Sequence, residues 1–388
     1  MIPYSRQTID NTDIKLITKV LKKKLVTTGP NIVSFENKIK KFVDVKYAVA
    51  VNSATSALHI ACLSLGLKSG DYLWTVPNSF VASANCGLYC GAKVDFVDID
   101  INTYNISIYH LKQKLKLAEK KKKLPKVIVI VNFAGEPCEL KEIKKLSIMY
   151  KFKVLEDSSH ALGSKFKNHK IGNCKFSDIS VFSFHPVKII TTLEGGMAVT
   201  NNKFLFKKME MLRSHGITRE EKFFKVKSNN KWFYEQQYLG FNYRMNEVEA
   251  TLGISQLKRI NKFFKQRLAI KKYYDKNLKS LPLILPKNNS NNISSLHLYV
   301  VLMGNKFKLE DRNKFIKYLR KKKIITNVHY IPIHLHPYFR KLGFKKGMFP
   351  SSEQYYERAV SLPIFPFLKI NQLKYITSTI KNFFKSYE

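Results

Sequence analysis

Short β-branched runs alternate with amphipathic segments through the first half of this 388-residue chain, and that alternation restricts its fold more than any other feature. The strand candidates are Tyr47–Val51, 72–76, 94–99, Val127–Val131, 154–156, 179–184 and 197–200. Between them lie helical spacings such as Ile32, Phe35, Ile39, Phe42 and Leu140, Ile143, Leu146, Tyr150. The pattern predicts an α/β fold with a mainly parallel seven-stranded sheet covered on both faces. A ligand of such a sheet sits outside the carboxyl ends of its strands.

The second half changes character. Residues 246–278 read as one long helix, with Val248, Leu252, Leu257, Ile260 and Phe264 as apolar markers. A Pro/Asn/Ser loop follows at 286–295, then a strand at 297–303, a helix at 311–321 and a strand toward Val328. The expected division is a large domain with an N-terminal arm over residues 1–250 and a small C-terminal α+β domain over 251–388. The Lys runs at 120–123 and 321–323 read as solvated helix ends or loops, and no internal repeat is visible.

The net charge of +40 raises the question of a polyanionic partner, but only ten of the 68 basic residues are Arg. Nucleic-acid readers use Arg for bidentate and stacking contacts, whereas this excess is point-charge Lys spread along helices. Abundant Ile and Asn beside the Lys fit a compositional bias, and neither nucleic acid nor membrane is expected as a partner. The positive field still favours a diphosphate-bearing substrate. The five Cys form no C-x-x-C pair, which suggests reduced thiols and no disulfide or zinc framework. No apolar run approaches membrane-spanning length, and Met1-Ile2-Pro3-Tyr4-Ser5-Arg6 lacks a signal-peptide pattern, so a cytoplasmic location is expected.

Three strand-end segments carry the chemistry. Ser183-Phe184-His185-Pro186-Val187-Lys188 places a lysine just past an apolar run, before Gly195-Gly196. Val154-Leu155-Glu156-Asp157 is a strand ending in a carboxylate, and Asn52-Ser53-Ala54-Thr55-Ser56 follows a strand and opens a helix. The amine can form a Schiff base with an aldehyde, and the acid can keep a pyridinium nitrogen protonated. Those are the parts that pyridoxal phosphate (PLP) needs. The helix start, with the hydroxyls of Ser53, Thr55 or Ser56, can cradle a phosphate. Each element alone has a plainer reading: a helix cap for Ser53 or Asp157, one of 58 lysines for Lys188. Their order along the chain is what gives specificity.

The chain resembles the DegT/DnrJ/EryC1/StrS sugar aminotransferases, on the fold-type I PLP scaffold. The resemblance covers nearly the whole chain. It includes Thr28-Gly29-Pro30 with Phe35-Glu36, the 47–58 segment, Glu156-Asp157-Ser158-Ser159-His160, residues 183–196, Gly240-Phe241-Asn242-Tyr243-Arg244-Met245 and Val328-His329-Tyr330. Ser158-Ser159-His160 and Phe184-His185-Pro186-Val187-Lys188 look most like the branch of pseudaminic acid synthesis, which aminates C4 of a UDP-linked 4-keto-6-deoxy-N-acetylhexosamine. The branch making 4-amino-4-deoxy-L-arabinose, or another acting on UDP- or dTDP-4-keto sugars, is the nearest rival.

The resemblance implies roles residue by residue. Lys188 would hold the cofactor and carry the proton between cofactor and sugar. Asp157 would pair with the pyridine nitrogen, and His160 would sit by the ring hydroxyl. Phe80 would stack on the ring, its plainer alternative being simple core. Ala54, Thr55 and Ser183 would hold the phosphate, joined by Asn242 from a second subunit of a homodimer with shared sites. Tyr4, Arg213, His215, His329 and Tyr330 are the substrate-contact candidates, and His185 is expected to be positional. L-Glutamate would be the amino donor, with pyridoxamine phosphate as the carrier form. Relatives that dehydrate sugars have His at the lysine position, so Lys188 favours transamination. A different class of reading is a non-catalytic, basic polyanion binder on a PLP fold, which loss of Lys188 or Asp157 would have supported. No metal is expected, because no carboxylate or Cys accompanies His329, His334 and His336. Choice of sugar is expected to rest on the 217–238 insertion.

Overall fold

In the computed structural model, which describes residues 1–228, 230–287 and 289–385, the alternating runs become seven strands of one sheet. They are β1 (Tyr47–Val51), β2 (Tyr72–Thr75), β3 (Lys93–Phe96), β4 (Val127–Val131), β5 (Lys153–Asp157), β6 (Ile179–Ser183) and β7 (Gly196–Thr200). Across the sheet the order is β1-β7-β6-β5-β4-β2-β3. Strands β2 to β6 pair in parallel, and β7 lies antiparallel between β6 and β1.

The helices of this part are α1 (Asn11–Leu21), α2 (Pro30–Val43), α3 (Ala54–Ser64), α4 (Ala82–Leu88), α5 (Ile108–Lys120), α6 (Leu140–Tyr150) and α7 (Lys203–Arg213). Successive strand residues face opposite sides. Ala48, Ala50, Ile128, Ile130, Phe182 and Val199 therefore join one apolar cluster with Phe35 and Ile39 of α2 and Ile143 of α6. Val49, Val51, Val127, Val129, Leu155 and Val181 join the other, with Leu58 and Ala61 of α3 and Met209 of α7. The two-sided burial explains why these strands read as near-continuous apolar runs.

Thr28-Gly29-Pro30 has a structural explanation. The Glu247 carboxylate accepts from the Asn31 and Ile32 N–H groups at 3.0 and 3.1 Å, capping α2 from outside its own sequence. A Cβ on Gly29 would stand 2.7 Å from Glu247 Cδ, so a side chain there would displace the cap.

The expected single helix over 246–278 is two: α8 (Glu247–Lys258) and α9 (Ile260–Leu278). Arg259 leaves the helical conformation at φ −102°, ψ 1°, and its N–H turns to the Gln256 carbonyl. Its guanidinium engages Asp10 and Asp13 at the start of α1. A one-residue break leaves the apolar spacing intact on both sides, so periodicity cannot reveal it.

The C-terminal sheet is β8 (Leu283–Ile284), β9 (Tyr299–Met303) and β10 (Ala359–Leu362), all antiparallel. The expected strand toward Val328 is replaced by single bridges, Ile324 to Ile2 and Asn327 to Ser361. The third strand comes later in the chain, after α10 (Leu309–Lys321), α11 (Pro337–Lys341) and α12 (Pro350–Arg358). This sheet packs on α9, α10 and the final helix α13 (Ile370–Lys385), through Tyr274, Phe315, Leu319, Ile376 and Ile380. Ile2 joins the same cluster, so the N-terminal arm is fastened to the far end of the chain.

Candidate active site

Lys188 sits on a loop that closes on itself. After β6, the Phe184 N–H donates to the Gly195 carbonyl at 2.9 Å, and the Phe184 carbonyl accepts from Thr192 N–H and Thr191 Oγ1, both at 3.0 Å. Phe184 is buried against Phe35, with ring centroids 5.1 Å apart. These anchors leave a turn in which Lys188 N–H meets the His185 carbonyl at 2.9 Å. From the N-terminal arm, Ser5 Oγ donates to the carbonyl of Val187 at 3.2 Å. Among the described residues, the Lys188 amine makes no hydrogen bond or ion pair. Burial pushes its pKa down to about 8, against the opposing pull of the Asp157 charge.

Parity along the strands puts the acid on the right face. Leu155 faces α3, so Asp157, two residues on, faces the same way, and Glu156 faces the opposite cluster. Asp157 Oδ2 accepts from Ser83 Oγ of α4 at 2.7 Å, and Oδ1 accepts from Ser159 N–H at 3.2 Å. Ser83 Oγ in turn lies 2.8 Å from Ser79 Oγ. Glu156 is bound by Asn132 and Ser177, and burial pushes its carboxyl upward. Its role is internal to the sheet.

At the start of α3, Ser53 caps the helix, accepting from Ser56 N–H at 3.1 Å. Ser56 Oγ donates to Asn52 at 2.7 Å. The first two helical N–H groups, of Ala54 and Thr55, precede any carbonyl that an α-helix could offer them. Strand β7 passes so near that a Cβ on Gly196 would stand 2.5 Å from Ala54 N. Ser183, at the end of β6, faces the same side as Asp157 by the same parity. Asn242 bridges Ser214 and is exposed, one residue before the Tyr243 carbonyl that accepts from Asn52 N–H at 2.9 Å.

A second group closes the site from the C-terminal part. His160 Nε2 is 3.1 Å from Tyr330 Oη, and the rings lie within 17° of parallel. The Ala134 N–H donates to His160 Nδ1 at 3.3 Å. Burial and the Lys188 charge hold His160 well below the usual histidine range, and His329 is pushed down to about 3 by the same causes. His329 Nδ1 lies 2.8 Å from Ser361 Oγ, and its ring is 5.4 Å from that of Tyr4. Phe80 is 59% exposed, so it is not core, and its ring is 6.3 Å from that of Tyr330.

The structure thus gathers Lys188, Asp157, His160, His329 and Tyr330, with Tyr4 and Phe80 at the rim. Arg213 is placed differently: its guanidinium donates to Glu36 at 2.7 Å and to the Ala50 carbonyl at 2.9 Å. His215 is exposed at φ 61° beside Phe241. At the ends of the 217–238 segment Ile217 and Thr218 pair antiparallel with Gln236 and Glu235, Trp232 and Tyr234 are exposed, and Arg219 lies over the Tyr234 ring at 5.1 Å.

Sequence reasoning missed Ser83, Ser5 and His297. Ser79 and Ser83 stand one helical turn apart after a strand, a spacing that could have indicated a hydroxyl pair. His297 packs on His160 with ring centroids 4.4 Å apart, and its Nδ1 is buried without a partner among the described residues. Nothing local in the sequence joins positions 160 and 297.

These residues fit PLP. An amine that is unpaired among the described residues and made nucleophilic by burial, a fixed carboxylate and a helix start whose first N–H groups have no helical acceptor match an aldehyde, a pyridine nitrogen and a phosphate. Among the described residues no group of three or more His, Cys, Asp or Glu could hold a metal ion. Among them, too, no helix is long and apolar enough to cross a membrane.

The DegT/DnrJ/EryC1/StrS aminotransferase family description matches residues 7–381. A protein of Campylobacter jejuni named UDP-4-amino-4,6-dideoxy-N-acetyl-beta-L-altrosamine transaminase is 37% identical, covering 98% of this chain and 96% of its own. The solved structure of Helicobacter pylori PseC, described as an aminotransferase of pseudoaminic acid biosynthesis, superposes with a TM-score of 0.91 at 34% identity, over 99% of both chains. A Streptococcus pneumoniae chain described as a sugar aminotransferase, solved in a PMP-form, gives 0.91 at 27% identity over 100% of both.

Proposed function

Because the chain belongs to the DegT/DnrJ/EryC1/StrS aminotransferase family, we propose that it aminates C4 of a UDP-linked 4-keto-6-deoxy-N-acetylhexosamine, a step of pseudaminic acid biosynthesis. It is a sugar aminotransferase whose chemistry depends on PLP. The altrosamine transaminase name of the Campylobacter relative supports the sugar, and the Helicobacter PseC structure supports the pathway.

The observation that carries the reading is the state of Lys188: an amine without a hydrogen-bond partner among the described residues, its pKa lowered to about 8, on the loop after β6 and within the influence of the Asp157 charge. When bound, PLP supplies a ring that draws electrons away from the carbon bearing the transferred nitrogen. Lys188 would hold the cofactor and, as a free amine, would carry the proton between cofactor and sugar C4. Asp157, fixed by Ser83 and the Ser159 N–H, would hold the proton on the pyridine nitrogen. Ala54, Thr55 and Ser183 would bind the phosphate, and Asn242, which is exposed, would reach the phosphate of a second copy in a homodimer. Phe80 would cover one ring face. Tyr4, His329 and Tyr330 line the sugar side, and L-glutamate supplies nitrogen in the first half-reaction.

Purified protein with PLP and glutamate, offered a panel of UDP- and dTDP-linked 4-keto sugars, tests this directly. Mass spectrometry and NMR should find a 4-amino sugar from the UDP-linked N-acetyl substrate. Amination of only the dTDP sugars, or of none, would overturn the assignment.

A further inference from the structure

Three of the five cysteines meet where α3 packs on α4, and all five are free thiols. Cys62 of α3 and Cys86 of α4 are fully buried, whereas Cys90, two residues past the end of α4, is half-buried at the edge of the cluster. As a thiol, Cys90 donates to the Cys86 carbonyl at 3.2 Å, and Cys86 donates to the Ser83 carbonyl at 3.3 Å. The Cys62 thiol is hydrogen-bonded to both Cys86 and Cys90. His59, one turn before Cys62 on α3, comes to the same place. Its ring lies 5.4 Å from that of Tyr89 and 4.7 Å from that of Phe241, and its Nδ1 is 3.2 Å from Tyr243 Oη. Transamination makes no use of this group.

The sulfurs are not equivalent. The hydrogen bond from Cys62, joined by one from His59, pulls the Cys90 thiol down to about 6 against the opposing cost of burial. At pH 7 Cys90 is mostly thiolate, the form that attacks an electrophile. Cys62 is pushed the other way, by its hydrogen bonds to Cys86 and Cys90 and by burial. Burial also raises Cys138 and Cys174, which lie elsewhere in the core. A small oxidant therefore meets one sulfur that is both ionised and open to solvent, with a second thiol already in contact with it.

We propose that Cys90 is a site of reversible oxidation by hydroperoxides, with Cys62 as the thiol that resolves it to a Cys62–Cys90 disulfide. The Cys90 thiolate attacks one peroxide oxygen and gives it an electron pair. The O–O bond breaks, the other oxygen leaves as hydroxide, and Cys90 becomes a sulfenic acid. The Cys62 sulfur then attacks the Cys90 sulfur. The S–O bond breaks, and the hydroxyl leaves as water with the Cys62 proton. The first step removes the Cys90 charge and its accepting sulfur, two of the causes that keep Cys62 protonated, so the second thiol ionises more easily once the first has reacted. The bond would fasten the end of α4, whose first turn holds Asp157 through Ser83, to α3. The inference does not depend on the PLP-dependent reading.

The test treats the full chain at pH 7 with hydrogen peroxide, caps remaining thiols with N-ethylmaleimide, then unfolds and digests it with trypsin. Cleavage after Lys46, Lys68 and Lys93 puts Cys62 on peptide 47–68 and both Cys86 and Cys90 on peptide 69–93. Mass spectrometry should find these two peptides joined, and fragmentation between Cys86 and Cys90 should place the bond on Cys90. Dithiothreitol should reverse it. Cys90 should react at least roughly tenfold faster than Cys138 or Cys174. Cys62→Ser should stop at a sulfenic acid on Cys90 that dimedone labels, and Cys86→Ser should still form the bond. A Cys62–Cys86 bond in its place, similar oxidation of all five thiols, or no bond at peroxide levels that oxidise free glutathione would overturn the proposal. The wild-type measurement decides this without any variant, and a protein that PLP does not colour leaves the test intact.

Discussion

Ser83 Oγ donates to Asp157 Oδ2 at 2.7 Å, joining the first turn of α4 to the end of β5. The contact fixes the carboxylate without neutralising it, because a hydroxyl brings no charge. A hydrogen bond to a charged group contributes about 1.5–3 kcal/mol, so Ser83→Ala should lower kcat roughly tenfold or more through a misaligned Asp157. Asp157→Asn should cost more, since an amide cannot hold a proton on the pyridine nitrogen. Steady-state kinetics measure both, and Ser83→Thr, which keeps the hydroxyl, should recover most of the loss.

Lys188 makes a pH-dependent prediction whose sign follows from its depressed pKa. Only the neutral amine attacks an aldehyde. With a pKa of about 8, close to one lysine in ten is neutral at pH 7, against roughly one in three thousand for an ordinary lysine. The rate of colour formation on adding PLP to apoprotein should climb about tenfold per unit of pH on the acid side. It should then level off as pH passes through about 8. A climb that continues to pH 10 would show an unshifted lysine. Lys188→Ala should abolish turnover yet still retain pyridoxamine phosphate, which needs no covalent link.

How much of this site could be read from the sequence depends on distance along the chain. Asp157, Ser183 and Lys188 were legible because each lies just after an apolar run, and a parallel sheet gathers strand ends at one edge. The seven strands were legible because burial on both faces leaves unbroken β-branched runs. The break at Arg259 was not, because it arises from contact with Asp10 and Asp13 some 250 positions away and leaves the local periodicity unchanged. His297 was invisible for the same reason. Arg213 was a candidate on local wording alone, and only the fold reveals its engagement with Glu36.

That engagement defines a third prediction. Glu36 and Arg213 lie 2.7 Å apart with both side chains largely buried, and burial raises the Glu36 pKa even against the Arg213 charge. Desolvation thus outweighs attraction, so the pair is costly to break and gives little when intact. Arg213→Ala strands the carboxylate and the Ala50 carbonyl and should destabilise by about 3 kcal/mol, visible as a lower urea midpoint. Arg213→Ala combined with Glu36→Gln should recover part of the loss. The folded variant should keep its KM for the sugar; a tenfold rise would show that Arg213 contacts substrate.

Gly196 separates the phosphate cradle from the rest of the chemistry. An added Cβ would stand 2.5 Å from Ala54 N and from the Ser53 carbonyl carbon and oxygen, all backbone atoms that cannot rotate away. Something must move, and the start of α3 is the end of that contact without a strand ladder to hold it. Shifting it turns the Ala54 and Thr55 N–H groups off target while leaving Lys188 and Asp157 in place. Gly196→Ala should therefore weaken PLP at least tenfold while changing the affinity for pyridoxal, which lacks the phosphate, by much less. Both affinities can be followed through the absorbance change on binding. Equal losses for the two ligands would mean that the substitution disturbs the whole site, and that the helix start is not what recognises the phosphate.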